Sequence, residues 1–483
     1  MDHAVSNEQE PDRSGAPPVV AADAATELQP ASIGNREALL GHGLTASRSL
    51  ALRVAEAGLV ACDPGLAVER LVQLDGDELI VEDSRHRLHP EGRILVLGSG
   101  KASLKIALAL ERILGDRVHG GTVVVRHGSA AATPRRIEVL EASHPLPDER
   151  SVAAALWLLE QAGEVGEHDL VIACFTGGSS ALTSLPPAGV TPAEKRDLHR
   201  LLLGAGLPIS EVNTVRKQVS GFKGGRLALA VAPARLINLT VSDVAGDPLD
   251  AITDPSVAND STVADASSIL RSHDLWGEVS GSIRRHLEDP RLAVPDLSGM
   301  EIHTTLLVTG ETACEAMAAE ARAAGANPVI ISTGLEEEAT SVGRILGQLA
   351  FESAELGRPF NRPSVLIGCG GESTVRLGPE HEFGSGGPNQ EAALAAAGRF
   401  IGADVSSVFI DTDGSDGSTD LAGAISDGAT AERAREAGID LRDALARHRT
   451  GEALAALDDG IETGPTHTNV NDLFAIAIGG ADL

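Results

Sequence analysis

Short apolar runs of strand length alternate with longer segments of helical period along most of this chain. RILVL (93–97), GTVVVRHG, DLVIACF (169–175), RLINLTV (235–241), HTTLLVTG, PVIIST, PSVLIGCGGE, VFIDTDGSDG and FAIAIGG read as strands. Between or before them, REALLGHGLTASRSLALRVAEAGL, DERSVAAALWLLEQAG, ETACEAMAAEARAAG and EEEATSVGRILGQLAFESAELG carry apolar residues on one helical face. Such alternation predicts mostly parallel sheets covered by helices. A length of 483 residues is too great for one ordinary core. The expectation is an α/β protein of two Rossmann-like domains with an interdomain cleft, one over 34–298 and one over 299–483. Residues 1–33, rich in Pro, Ala, Ser and acid and without periodicity, are expected to be a disordered tail.

Composition narrows the partners. Tyrosine is absent and aromatics are 2%, so the cores must be aliphatic. The formal charge of −30, from 39 basic and 69 acidic residues, repels nucleic acid and anionic membranes. A high-salt cytoplasm would screen such a charge. The scattered Cys62, Cys174, Cys314 and Cys369 form no C-x-x-C pair, against zinc or dithiol chemistry. No signal-peptide pattern and no apolar run of roughly 20 residues is present, so a cytoplasmic location is expected. Lys101, Lys105, Lys195, Lys217 and Lys223 are all the lysines of the chain, and Lys101, Lys217 and Lys223 lie in or beside glycine-bearing segments.

Those segments fall at strand ends, where open α/β sheets bind ligands. In GSGKAS (98–103), Gly98 and Gly100 would let the backbone turn tightly, and the following helix start and Lys101 would present positive charge to an anion. The spacing is too short for a Walker A loop, and an ordinary strand-to-helix turn also uses glycine. TGGSSA (176–181) has the same form; Ser179 and Ser180 can cap the helix, and no G-x-S-x-G elbow marks a nucleophile. Arg216, Lys217, Lys223 and Arg226 cluster in EVNTVRKQVSGFKGGR, as a counter-charge for phosphate or as a solvated helix face. Asp243 and Asp247 in SDVAGDP suit Mg²⁺, a base, or a helix cap or Asx turn. DTDGSDGSTD (411–420) lacks the terminal Glu and flanking helices of an EF-hand, and its carboxylates fit Mg²⁺ or substrate hydroxyls better.

In order, GSGKAS, HPLPDERS, TGGSSAL, NTVRKQVSGFKGGRLA, SDVAGDP, GGEST, GGPNQE, DTDGSDGSTDLAGA and TGPTHTNVNDL resemble the glycerate 2-kinase family, with a MOFRL-type carboxyl-terminal domain. The resemblance runs from about residue 36 to residue 476. It implies transfer of the γ-phosphoryl group of ATP to the 2-hydroxyl of D-glycerate or a related small sugar acid, with Mg²⁺, by a monomer or homodimer. Lys101, Asp243 and Asp413 match the family's catalytic positions. The loops that would hold the nucleotide or substrate are Gly98, Ser99, Gly100, Gly177, Gly178, Ser179, Ser180, Lys217, Gly370, Gly371, Glu372 and Asn389. Asp243, Asp413 and Asp416 would be placed for the metal. Some members are labelled hydroxypyruvate reductase, but no G-x-G-x-x-G fingerprint occurs here.

The chain departs from the family pattern at Pro388 and Ser385, where the family carries arginine or lysine, at Ser179, which replaces a glycine, and at Asp254. Either Arg216, Arg226 or Arg376 takes over the phosphate clamp, or the chain is a weakly active or non-catalytic paralogue.

Overall fold

The computed structural model describes residues 28–241, 255–370, 373–375 and 383–479. A small antiparallel meander of β1 (Val72–Asp75), β2 (Glu78–Val81) and β3 (Ser84–Arg87) precedes the first large sheet. The sequence reading passed over it, because its four-residue strands alternate with polar, half-exposed positions.

The first large sheet contains β4 (Ile94–Ser99), β5 (Val118–Arg126), β6 (Glu138–Ala142), β7 (Leu170–Phe175), β8 (Arg235–Val241) and β9 (Ile302–Val308). Their spatial order is β6-β5-β4-β7-β8-β9, with every pairing parallel. Helices cover both faces, so β4 and β7 are buried at every position, which is why they read as unbroken apolar runs. The order reverses between β4 and β7, and that reversal opens a crevice beyond their carboxyl ends.

The second sheet contains β10 (Asn327–Ser332), β11 (Ser364–Gly370), β12 (Val405–Asp411), β13 (Gly423–Asp427), β14 (Gly460–Ile461) and β15 (Asp472–Ile478), in the order β10-β11-β15-β12-β13-β14. Here the expectation of mostly parallel strands needs correction. Among the described strands of this sheet only β10 and β11 pair in parallel; β15 runs antiparallel between β11 and β12, and β12, β13 and β14 are successively antiparallel. The connection 412–422 holds no helix-length apolar segment, so the chain turns back instead of crossing over.

The division expected at residues 298/299 does not follow the sheets. Strand β9 lies in the first sheet, while the helix Thr45–Ala61 packs on β12, β15 and the helix Gly310–Ala323. One apolar cluster runs through both halves, from Val96, Ile172 and Leu239 to Ile367, Val408 and Leu473. Part of the expected tail is also packed. Ala31 and Ile33 are buried, and the Ile33 amide donates to Glu56 Oε1 at 3.1 Å. Residues 1–27 lie outside the described residues.

A buried ion network fastens the first long helix to the second sheet. Arg48, fully buried, donates to Asp427 Oδ2 at 2.8 Å and Asp459 Oδ1 at 2.6 Å, and Arg433 reaches Asp459 Oδ2 at 2.6 Å. Burial pushes Asp427 up, but Arg48 and backbone donors outweigh it and hold the carboxyl below its usual range. Arg48→Met strands buried carboxylates, so a loss of about 3–5 kcal/mol is expected in chemical denaturation. A loss below about 1 kcal/mol would show that the network does not hold this helix.

Candidate active site

The crevice at the strand-order reversal is built by two interlocked loops. After β4, Gly100 adopts φ +129°, and a Cβ there would lie 2.2 Å from Thr176 Oγ1, so only glycine fits. The Thr176 amide donates to the Ser99 carbonyl at 2.9 Å, the Lys101 amide to the Gly177 carbonyl at 2.9 Å, and the Ala102 amide to Thr176 Oγ1 at 3.1 Å. The helix Ser103–Leu114 then begins, and Lys101 is left projecting from the junction.

Lys101 Nζ donates to Asp413 Oδ2 at 2.5 Å, joining the end of β4 to the turn after β12 in the other sheet. That turn is fixed from within. The Asp413 amide donates to Asp411 Oδ1 at 2.8 Å, and Asp413 Oδ1 accepts from the Ser415 amide and hydroxyl at 2.8 and 2.9 Å. Gly414, at φ +92°, leaves no room for a Cβ beside the Gly464 carbonyl. The Val470 amide donates to Thr412 Oγ1 at 2.8 Å, so the TGPTHTNVND segment braces the same turn.

Charge is divided unequally among these carboxyls. Burial pushes Asp413 up, but Lys101 and the Ser415 donors overcome it and keep the group below the usual carboxylate range. Asp411 is driven well above that range by enclosure and by Asp413 and Asp472 beside it. The turn therefore favours charge on Asp413 over charge on Asp411. His144, in the loop after β6, faces the same place: a Cβ on Gly178 would lie 3.4 Å from its Nε2 and 3.7 Å from Lys101 Cγ. Burial, Lys101 and Arg126 lower the imidazole to about 4, against the pull of Asp413, so it is neutral at pH 7.

A second positive feature lies at the ends of β7 and β8. Phe222 packs edge-on against Phe175, with ring centroids 5.8 Å apart. This seats the segment 220–226 beside β7. Lys195 Nζ donates to the Leu185 and Val219 carbonyls at 2.8 and 2.9 Å, and Arg226 Nη1 to those of Lys223 and Lys217 at 2.7 and 3.2 Å. Lys195, Lys217 and Lys223 are all buried, so the solvated-face reading of this segment fails. Burial, then Lys223, Arg226 and Arg216, push the Lys195 amine well down. His199 falls to about 2 through burial and its neighbours Arg216, Lys195 and Lys223.

Several expected site residues take structural places instead. Gly98 lies inside β4, where a Cβ would be 2.3 Å from Cys174 Sγ; its glycine serves strand packing. Ser99 is fully buried, and its Oγ has no hydrogen-bond partner among the described residues. Ser179 is buried and its carbonyl accepts from Thr183, whereas Ser180 is half-buried. Gly370 ends β11, closely backed by the Leu335 carbonyl. Gly177 and Gly178 do lie against Lys101.

Asp416, expected at the metal, is fully buried. Its carboxylate caps the helix Pro388–Ala397, accepting from the Gln390 and Asn389 amides at 2.9 and 3.1 Å. Asn389 is buried too, with Nδ2 2.5 Å from Asp472 Oδ1 and 3.2 Å from Asp416 Oδ1. Pro388 occupies the first helical position without conflict. Asp243, Asp247, Asp254, Gly371, Glu372 and Arg376 lie outside the described residues.

His144 was quoted in HPLPDERS without a role. The strand-end rule that singled out Lys101 applies equally to the end of β6. Asp411, one of the DTDGSDGSTD carboxylates, is joined by Asp472, which only the folded register of β12 and β15 brings beside it.

The DUF4147 family model, a domain of unknown function, matches residues 50–288, and the MOFRL family model matches 365–472. A glycerate 2-kinase of Pyrococcus horikoshii is 39% identical over 431 residues, covering 88% of this chain and 96% of its own. A D-glycerate 2-kinase of Thermotoga maritima is 37% identical, covering 79% and 90%. A protein of Agrobacterium vitis provisionally named a hydroxypyruvate reductase is 41% identical, covering 80% and 100%. The solved structure of a Thermotoga maritima glycerate kinase superposes with TM-score 0.75 at 33% identity, covering 89% of this chain and 99% of that one. A Pyrococcus horikoshii structure gives the same TM-score at 38% identity, covering 90% and 98%.

A two-sheet α/β architecture with a lysine–carboxylate contact across the crevice, together with these relatives, defines a phosphotransferase of the kinase type. The chain belongs to the glycerate 2-kinase family.

The cap at Asp416 carries a pH signature. Burial outweighs its four hydrogen bonds to the Asn389 and Gln390 groups and lifts the carboxyl from its usual 3.8 to about 6. A raised carboxyl favours the fold while protonated, and that advantage is lost as pH rises from about 4 to about 6. Asp416→Asn cannot ionise, so its stability relative to wild type should rise over this window, by about 3 kcal/mol at most. A difference independent of pH would show that Asp416 is ionised throughout.

Proposed function

We propose that this chain transfers the γ-phosphoryl group of ATP to the 2-hydroxyl of D-glycerate, with Mg²⁺. The observation that carries the reading is the Lys101–Asp413 contact at the strand-order reversal, where two sheets present opposite charges to one crevice. Lys101 would exchange its carboxylate partner for the oxygens of the transferring phosphoryl group. Asp413, ionised, would then be released to orient the attacking hydroxyl and draw on its proton, with Asp243 as the alternative. Phosphoryl transfer needs little else from a protein than position and charge neutralisation.

Burial, then Asp413 and Asp472, raise the Asp411 carboxyl, so the three lie close together, but Asp472 is bonded to Asn389 Nδ2 and the Ser373 amide. Among the described residues no group of three or more His, Cys, Asp or Glu side chains is placed to hold a metal ion, so Mg²⁺ would rest on Asp413, with Asp243, and the substrate phosphates. Mg²⁺ is commonly held by one or two carboxylates and the substrate phosphates. When bound, the ion would neutralise charge on the phosphates. Lys217, Lys223 and Arg226 form a second basic segment in a chain of charge −30, and would favour a triphosphate that reached it. Arg226 is committed to two carbonyls, which leaves Arg216 or Arg376 as the stand-in for the family arginine missing at Pro388.

The name of the Agrobacterium relative favours a second reading, reduction of hydroxypyruvate. Against it, the third position of a dinucleotide fingerprint would be Ser103, whose hydroxyl is bonded to the Gly100 carbonyl at 2.9 Å.

The direct test is ATP consumption with D-glycerate and Mg²⁺ at low and high salt, with NADH and hydroxypyruvate as control. Production of 2-phosphoglycerate is expected; NADH oxidation without ATP consumption would replace this reading with the second. Lys101→Ala should lower kcat on the order of 10³-fold or more while the melting curve stays near wild type. Retention of most activity would remove Lys101 from the chemistry. Pro388→Arg should leave kcat within about threefold, because another cation already fills the role. A gain of tenfold or more would mark the chain as a weakened paralogue.

A further inference from the structure

We infer that His144 contacts a hydroxyl of the acceptor acid and helps to select it. This rests on the kinase reading and assigns a substrate-reading residue within it. The geometry carries the inference. His144 follows β6, so the first sheet sends three strand ends to one spot: Lys101 after β4, His144 after β6 and Gly178 after β7. Gly178 takes φ +89° and lacks the side chain that would crowd the ring, with a Cβ only 3.3 Å from His144 Cδ2. The ring is half-buried, and none of its nitrogens is hydrogen-bonded among the described residues. A polar ring held there by packing, with nitrogens left accessible, is suited to a ligand.

The charged groups facing it define which ligand group it suits. Lys101 and Arg126 are cationic and Asp413 is anionic. Carboxylate and phosphate oxygens of the two substrates would be drawn to the cations. A neutral imidazole adds no charge and can both donate and accept, which matches a hydroxyl. A polar group that reads a hydroxyl discriminates strongly against analogues lacking it, because the site's own polar atom is then left unmatched.

The test is calorimetric binding of D-glycerate, 3-hydroxypropionate and D-lactate to the full chain, with Mg²⁺ and a non-hydrolysable ATP analogue present. The two analogues lack the 2-hydroxyl and the 3-hydroxyl respectively. In wild type, one of them should bind about tenfold or more weaker than D-glycerate. In His144→Ala, D-glycerate should weaken to the level of that analogue, while affinity for the ATP analogue stays within about twofold. His144→Gln, which keeps a donor and an acceptor, should regain part of the discrimination. The inference is overturned if the discrimination persists in both variants, or if binding of the ATP analogue falls in parallel with that of D-glycerate. Absence of D-glycerate binding in wild type overturns it as well. The kinase reading fails separately, when wild type consumes no ATP with D-glycerate.

Discussion

The contact between Lys101 and Asp413 joins the end of the first sheet to the turn after β12 in the second. Each partner is useless without the other's scaffold. Lys101 is aimed by the Gly100 turn and the Thr176 clamp of the parallel sheet. Asp413 is aimed by the antiparallel β12–β13 turn and its Thr412 and Ser415 bonds. The continuous apolar cluster and the Arg48 network keep the two scaffolds in register, so the geometry of the crevice is a consequence of the core.

Electrostatics in this crevice are local. The chain as a whole is strongly anionic, and of its five lysines Lys101 projects from the end of the strand Ile94–Ser99. Lys101 is partly exposed beside Asp413, whereas Lys195, Lys217 and Lys223 are buried. Burial weakens screening by water and salt, so a few enclosed cations can outweigh a distant acidic surface. Burial and the neighbouring carboxylates raise Asp411, whereas Lys101 and Ser415 hold Asp413 low against its burial, so charge is favoured on Asp413.

The alternation of strands and helices was legible because β4 and β7 are covered on both faces and are therefore almost wholly apolar. Strand sense in the second sheet was not legible from that pattern. It is decided by where β15 inserts, a pairing across about a hundred residues of chain that local periodicity does not encode. GSGKAS, TGGSSA and DTDGSDGSTD do follow strands, whereas SGFKGGR joins two helices, and Lys101 and Asp413 meet. Glycine alone could not separate a ligand loop from close packing: Gly100 makes the turn, whereas Gly98 merely accommodates Cys174. Likewise an aspartate in a polar turn reads the same whether it faces the crevice, as Asp413 does, or caps a helix from inside, as Asp416 does.

The central claim is that Lys101 and Asp413 act as one unit across the crevice. A double-mutant cycle on kcat/KM for D-glycerate, using Lys101→Met, Asp413→Asn and the double variant, tests it most directly. Strong coupling is predicted, with the double variant no worse than the weaker single variant. Losses that simply multiply would contradict the claim and make the contact incidental to the chemistry.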